Sequence, residues 1–461
     1  MITRLRAENF KSWKKTGEVR LAPLTGLFGS NSSGKTSILQ LLLMLKQTVE
    51  SSDRKRVLHT GDDSSLVDLG TFYDLVYGHS PDAALKLELS WTLPEPLVIY
   101  DPEQHRRPLY QPKSLTFETE IHQEGETQRP VVNRFEYRFD SQAFGMRRQD
   151  SNEQGDKGDR DKYDLIHTGY DVKRMPGRPW PLPAPVKCYG FPDEAWGYYQ
   201  NTGFLLGLGY ELEQMLSRVA YLGPLREYPR RTYVWGGERP VDVGRRGDQA
   251  VAALLAARTE RLKGGRGRGK ARRYKPIEER ILEWLQEMKL IHSFTLKSVA
   301  AQRKDYEFRA RKTAASPEVL ITELGFGVSQ VLPVLVLCYY APEGSTILLE
   351  QPEIHLHPFV QAALADVLID VVNERKVQVI VESHSEHLLR RLQRRVAEEV
   401  LSPEHAALYF VRIEDDASTM EALDMDPYGN VLNWPDDFFG DEMGELAAMT
   451  KAAIQRRRAA S

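Results

Sequence analysis

The chain is short of several things, and each shortage excludes something. It has two cysteines in 461 residues, Cys188 and Cys338. Two thiols make neither a disulfide framework nor a cysteine zinc cluster, which fits a reducing, cytoplasmic setting. The longest apolar runs fall short of a membrane span. The opening Met1-Ile2-Thr3-Arg4-Leu5-Arg6 lacks the apolar core of a secretory signal, so no membrane association is expected. Charge of one sign is also missing: Lys+Arg is 62 against Asp+Glu 65, a net charge of −3. A nucleic-acid binder that is basic throughout is thereby excluded, and any such surface has to be local. What the chain does have is length and apolar content, 41% hydrophobic beside 28% charged, enough for a sizeable core. One large domain with insertions, or two to three lobes, is expected, and no internal repeat is visible.

Hydrophobic periodicity divides the chain into unlike parts. Ile2 to Phe10 and Gly17 to Phe28 read as two strands, the second running into a glycine loop and then an apolar helix, Ser37 to Lys46. Leu85, Leu87, Leu89, Trp91 and Leu93 alternate with polar residues, as do Leu115, Phe117, Thr119 and Ile121, and Phe135, Tyr137 and Phe139. Period two of this kind predicts an antiparallel meander from about Ala84 to Asp140. Gln149 to Asp164 is almost wholly polar and reads as a loop. A helix near Phe204 to Ser217 leads to a strand at Arg218 to Leu225. Ile281, Leu282, Trp284, Leu285 and Met288 fall at helical spacing, and Phe294 to Arg311 reads as a hairpin. From Ile321 the pattern turns β/α: helix Val331 to Tyr340, strand Thr346 to Glu350, helix Pro358 to Asn373, strand Val377 to Glu382, helix Glu386 to Glu399, strand Ala407 to Glu414.

The strongest chemical signal is Gly29-Ser30-Asn31-Ser32-Ser33-Gly34-Lys35-Thr36, a full GxxxxGK[ST] match set after a strand and before a helix. Its glycines let backbone N–H groups wrap phosphates, and the helix N-terminus adds partial positive charge. Lys35 is expected to reach the β- and γ-phosphates of ATP and Thr36 to hold Mg²⁺, with Ser37 in the same binding stretch. A second signal is Ile347-Leu348-Leu349-Glu350-Gln351-Pro352-Glu353, an apolar strand ending in acids. A carboxylate at the C-terminal edge of a sheet suits Mg²⁺ beside a phosphate loop, so Glu350 joins Thr36 as a metal candidate. His355 and His357 follow, but no third ligand stands at useful spacing for a metal site of their own.

Asn9-Phe10-Lys11-Ser12, the Gly29–Thr36 loop, the Leu348–Pro358 stretch and Glu382-Ser383-His384-Ser385 occur in an order that resembles the ATPase head of the RecF, SMC and OLD branch of ABC-type ATPases. The four motifs cover both ends of the chain; the middle, from about 96 to 315, matches only loosely. The resemblance implies an α/β fold, a P-loop NTPase of ABC/SMC-head type split by an inserted arm, with an antiparallel β subdomain. Its parts would be an N-terminal lobe at 1–95, a β subdomain and helical arm at 96–315, a C-terminal lobe at 316–425 and an extension at 426–461. It implies further site residues. Gly325, Gly327 and Ser329 stand where a signature loop would offer donors to the γ-phosphate of ATP held by a second subunit, His355 to Pro358 where a loop couples the two sites, and His384 where a switch histidine senses the γ-phosphate. Asp68-Leu69-Gly70 is a positional candidate for the Q-loop.

One departure bears on the chemistry. The family usually places a second acid after the strand-end carboxylate as general base toward the attacking water. Here that place is Gln351, and an amide cannot accept the proton at neutral pH. Either Glu353 takes over as base, or hydrolysis is slow and ATP serves mainly to hold a dimer together. The catalytic candidates are therefore Glu350, Glu353, Gln351 and His384.

Two stretches stand outside the ATPase motifs. Eight basic residues between Arg261 and Lys275, with no acid among them, could neutralise DNA or RNA phosphates or be a solvated loop. Arg226, Arg230 and Arg231, in the Tyr221 to Arg231 segment, could meet nucleotide or nucleic acid, or serve structural ion pairs. The aromatic, acidic Asn433 to Glu442 stretch packs back on the head or docks a partner, and Lys451 to Ser461 reads as a helix. No effector domain is visible: OLD proteins carry a nuclease after the head, and too few residues follow the last β/α strand here. The expected function is that of an ATP-dependent, dimerising ATPase acting as a sensor or regulator in DNA-related processes or anti-phage defence, with a separate effector partner such as a nuclease. The alternative is a non-hydrolysing scaffold clamped by ATP. A transport ATPase subunit is the third reading, disfavoured by the arm-like insertion.

Overall fold

The computed structural model describes residues 1–435 except 81, 101–106, 126–127, 150–161, 178–180, 264–273 and 301–302, together with 449 and 452. Most of the polar loop expected at 149–164, the middle of the basic run, the acidic tail beyond Pro435 and nearly all of the expected C-terminal helix lie outside the described residues.

Two sheets organise the chain. The first has six strands in the order Val219–Leu222, Thr346–Glu350, Gln378–Glu382, Leu24–Gly29, Ala406–Glu414, Ala417–Ala422. The first five run parallel and the last turns back antiparallel. These strands read as continuous apolar runs because both faces are covered. Leu24, Phe28, Ile347, Leu349, Val379 and Val381 enter one core, shared with helices Phe326–Tyr340 and Pro358–Arg375. Leu27, Leu348 and Ile380, pointing the other way, enter a second core with helix Lys35–Glu50 and the other sheet.

That other sheet is antiparallel, with strands Tyr163–Thr168, Gln142–Arg148, Pro130–Phe139, Ser114–Gln123, Leu85–Thr92, Ile2–Phe10 and Trp13–Lys15 in order, and Val19–Arg20 beside Ile2–Phe10. The expected meander is present and gains two strands after the Asp140 turn. Leu85–Thr92 alternates buried and half-buried residues, as its period-two pattern predicts.

The expected single strand Gly17 to Phe28 is in fact two pieces in two sheets. Val19–Arg20 pairs with the first strand, and Leu24–Gly29 starts the phosphate-loop strand. The break falls at Ala22-Pro23: Pro23 has no N–H for a ladder, and its carbonyl instead accepts from Val379 N at 2.8 Å. The Gln378 amide, fully buried, stitches the sheets together. It accepts from Ile2 N at 3.0 Å and donates to Ile2 O at 2.7 Å and Ala22 O at 3.1 Å.

The middle of the chain adds to both cores. Strand Val219–Leu222 lies inside the parallel sheet, against Thr346–Glu350. Helix Leu205–Ser217 packs on Lys35–Glu50, and Ala250–Ala256 and Ile277–Glu287 pack on Phe326–Tyr340. Its apolar positions, Leu208, Leu212, Ile281, Trp284 and Leu285 among them, are buried in the two cores.

Candidate functional site

The phosphate loop leaves strand Leu24–Gly29, wholly buried, and enters helix Lys35–Glu50. Gly34 has φ 98°, and a Cβ there would lie 2.2 Å from Ser418 Oγ and 2.6 Å from Ser12 Oγ. Only glycine satisfies both the left-handed backbone and the close approach. Ser12 belongs to the Asn9–Ser12 turn, so the fold brings that motif onto the loop; the Trp13 indole N–H donates to Gly34 O at 3.0 Å. Ser30, Asn31 and Ser32 are exposed at the loop tip, and Ser33 and Ser37 are buried. Lys35 Nζ turns inward, donating to Ser30 O at 2.6 Å, Gly29 O at 3.1 Å and Ser33 Oγ at 3.3 Å. Burial lowers its pKa, while the Glu382 and Glu353 charges oppose that fall.

The carboxylate end lies one strand away. Glu350 and Glu382 are register partners at the ends of adjacent parallel strands. Thr36 Oγ1 donates to Glu382 Oε1 at 3.0 Å. The hydroxyl expected beside Glu350 thus meets Glu382 first. Glu382, within the histidine motif, repeats the Glu350 signal, an acid closing a buried apolar strand, and so joins the metal candidates beside Thr36. Burial raises the Glu382 pKa. Burial, then the Glu382 charge, pushes Glu350 up to about 7. Tyr221 interacts with Glu350, and the Arg226 and Arg245 charges act on it.

Glu353 is buried and held by its neighbours: Oε1 accepts from His384 N at 2.7 Å. Its Oε2, like Glu382 Oε2, is buried with no hydrogen-bond partner. Burial raises the Glu353 pKa, and the His384 N–H opposes the rise. Gln351 sits at φ 42°, its N–H donating to Glu382 O at 2.9 Å, and its side chain interacts with the Glu382 carboxylate. The His384 imidazole faces the Gly29 backbone; burial and the Lys35 charge lower its pKa, favouring the neutral ring.

The signature-like residues are placed differently from expectation. The helix expected from Val331 starts at Phe326, so Gly325 is its N-cap and Gly327 and Ser329 lie in its first turns. Ser329 is buried, and its hydroxyl donates to Phe326 O at 2.8 Å. No hydrogen bond among the described residues joins these three to the phosphate loop of the same chain. His357 caps helix Pro358–Arg375, Nδ1 accepting from Phe359 N at 3.3 Å, and His355 meets the Phe326 ring edge-on at 5.6 Å. Among the described residues no group of three or more His, Cys, Asp or Glu forms a metal cluster. Near the Q-loop candidate, Arg245 donates to Ser65 O at 2.9 Å. The ends of the basic run, Arg261–Lys263 and Tyr274–Pro276, pair as an antiparallel ribbon, and Lys275 is engaged with Glu279 and Glu283.

At one sheet edge, therefore, stand a glycine-bearing phosphate loop, a buried lysine, three buried carboxylates and a histidine, an arrangement suited to a polyphosphate and its cation. Among the described residues no helix is long and apolar enough to cross a membrane. Residues 271–389 match the family model "AAA ATPase domain", and residues 401–449 match "Protein of unknown function (DUF3696)". No curated protein matches. Among solved structures, an SMC head bound to the C-winged helix domain of ScpA aligns over 92% of this chain and 98% of that one, at 12% identity and TM-score 0.46. The SMC head domain from Thermotoga maritima aligns over 92% and 99%, at 12% identity and TM-score 0.40. An SMC head with an extended coiled coil, bound to the C-terminal domain of ScpA derived from Pyrococcus furiosus, aligns over 92% and 96%, at 10% identity and TM-score 0.45. The carboxylate strand and the histidine strand of this sheet edge both fall within the stretch that matches the AAA ATPase domain model, so that part of the chain is similar to an ATPase domain.

Proposed function

We propose that this sheet edge binds ATP with Mg²⁺ and hydrolyses it slowly, and that nucleotide joins two heads into a dimer. The observation that carries the proposal is the convergence on one another of Lys35, Thr36, Glu382, Glu353 and His384, residues drawn from both ends of the chain. The site fits the ligands. The Lys35 ammonium is held only by loop groups that phosphate oxygens can replace, and Glu382 Oε2 and Glu353 Oε2 are buried acceptors in want of a partner. Thr36, Glu382 and Glu350 would hold Mg²⁺, which in such sites takes one or two carboxylates together with water and phosphate. When bound, Mg²⁺ neutralises phosphate charge.

The chain's own groups divide the remaining work. Lys35 binds the terminal phosphates. Glu353, oriented through His384 N, keeps one oxygen free to accept a proton from water. The neutral His384 ring is placed toward the loop, where a γ-phosphate would be sensed. Gln351 turns its amide to Glu382 and supplies no base, which supports low turnover and favours the second reading, a non-hydrolysing clamp. Gly325, Gly327 and Ser329 are the candidates for contact with nucleotide on the second head. The role as a sensor or regulator beside a separate effector, in DNA-related processes or anti-phage defence, is proposed from the motif order, and DNA or RNA contact is assigned to the 261–275 run.

Phosphate release and dimer mass with and without ATP test the proposal. Glu353→Gln is expected to lower turnover about 100-fold, the scale of a lost general base, with ATP binding retained. If Glu353→Gln leaves turnover untouched while Glu350→Gln abolishes it, the base assignment fails. ATP-dependent dimers with no phosphate release at all establish the clamp instead.

A further inference from the structure

Arg226 is an unusual residue in this fold. It is 8% exposed, yet its Nε and one terminal nitrogen have no hydrogen-bond partner. An arginine keeps its charge when buried, at a cost in desolvation, so a buried, unpaired guanidinium calls for an anion. Its position is fixed by the backbone. Strand Val219–Leu222 ends beside the carboxylate strand, Leu222 in register with Leu349. The chain then passes Gly223, whose N–H donates to Arg245 O at 2.9 Å, and Glu227, whose N–H donates to Arg246 O at 2.9 Å. Arg226 lies between these two pins, at the same C-terminal sheet edge as Glu350. The charged groups acting on it are Glu350 and Glu353, with the Tyr221 phenol. No ion pair to either acid is formed among the described residues. Its neighbours in sequence behave otherwise: Arg230 is exposed and pairs with Glu227 at 2.9 Å, and Arg231 is exposed.

We infer that Arg226 is a binding residue for the terminal phosphate of the nucleotide, approaching from the carboxylate-strand side while Lys35 approaches from the loop. A planar guanidinium with two free donors is matched to two phosphate oxygens. Its position beside Glu350 and Glu353 puts it at the end of the site where ATP and ADP differ. The inference rests on the proposal that this edge binds ATP. It makes Arg226 a reader of the third phosphate, and so a determinant of ATP over ADP, supplied by the chain itself.

The test is equilibrium binding of ADP and of a non-hydrolysable ATP analogue to the full chain, with thermal unfolding of the nucleotide-free protein. Arg226→Met and Arg226→Lys are compared with the wild type. Arg226→Met is expected to weaken the ATP analogue about 10- to 100-fold and ADP by no more than about two-fold, the loss of charge-assisted bonds to one phosphate. Arg226→Lys, which keeps the charge without the fork, is expected to fall between. Nucleotide-free Arg226→Met is expected to unfold no earlier than the wild type, because an unpaired charge has left the interior. Equal affinity for the ATP analogue in all three proteins overturns the inference and leaves the ATP site standing. So does an equal loss of ATP and ADP together with early unfolding, which makes Arg226 structural. Loss of the ATP-dependent dimer at unchanged ATP affinity also overturns it, assigning Arg226 to the interface. A wild type that binds neither nucleotide sinks the inference and the ATP site together.

Discussion

Two regions of buried charge among the described residues are built on opposite rules. On the helical side, Asp370 accepts from Arg280 at 2.5 Å and from the Tyr339 hydroxyl at 2.5 Å, and Tyr339 in turn accepts from the Trp284 indole at 2.6 Å. Nearby, both oxygens of Asp366 are held, by Arg395 at 2.6 Å and Arg391 at 2.6 Å. At the sheet edge, Glu353 and Glu382 each keep a buried oxygen without a partner, and Arg226 keeps two nitrogens so. The first region joins helices Ile277–Glu287, Phe326–Tyr340, Pro358–Arg375 and Glu386–Ala397, and its charges are satisfied within the chain. The second leaves these atoms without a partner within the chain, as the proposed nucleotide site would require. Burial of charge is common to both; completeness of pairing is what separates a structural network from a site.

That contrast can be broken or sharpened by substitution. The largest effect is expected at the paired network. Asp370→Ala leaves Arg280 buried without its acid and should cost about 3–5 kcal/mol of stability, read by urea unfolding, with the ATP-to-ADP affinity ratio unchanged. A small loss would mean that the helical network is as dispensable as the sheet-edge charges. Next comes Lys35→Ala, expected to weaken nucleotide binding by about 3 kcal/mol, roughly 100-fold, with little change in nucleotide-free stability. If it unfolds the protein instead, Lys35 is structural and the contrast collapses. The smallest effect is expected at Arg230→Ala. Its exposed pair with Glu227 should leave both the unfolding midpoint and nucleotide affinity unmoved, in contrast to Arg226 four residues earlier.

Much of the site could be read from the chain because its signals are local. Gly29 to Thr36 needs a strand, a loop and a helix in succession, and all three lie within one short stretch. Glu350 announces itself as a polar residue closing an apolar strand, and His384 as one that follows another. Glu382 carried the same mark, but its role depends on Thr36, and only the pairing of Gln378–Glu382 with Leu24–Gly29 brings the two into contact. The helix starts at Phe326 and not at Val331, although Gly325 and Gly327 read as loop; helix Phe326–Tyr340 is buried nearly all round, and packing overrides the cost of Gly327. That Val219–Leu222 joins the parallel sheet is not legible in the sequence, because so short a run does not say which strand it will pair with.

The sequence alone settled the identity of the groups: a phosphate loop, acids closing two apolar strands, a histidine after the second, and an amide at 351 in place of an acid. Those depend on covalent order and on side-chain chemistry. The tertiary structure alone decided which of them meet and which charges stay unpaired. Glu382 rather than Glu350 receives the Thr36 hydroxyl, Ser329 spends its hydroxyl on its own helix, and Arg226 but not Arg230 is turned inward. Sheet order, register and burial fix these outcomes, and each depends on contacts between residues far apart in the chain.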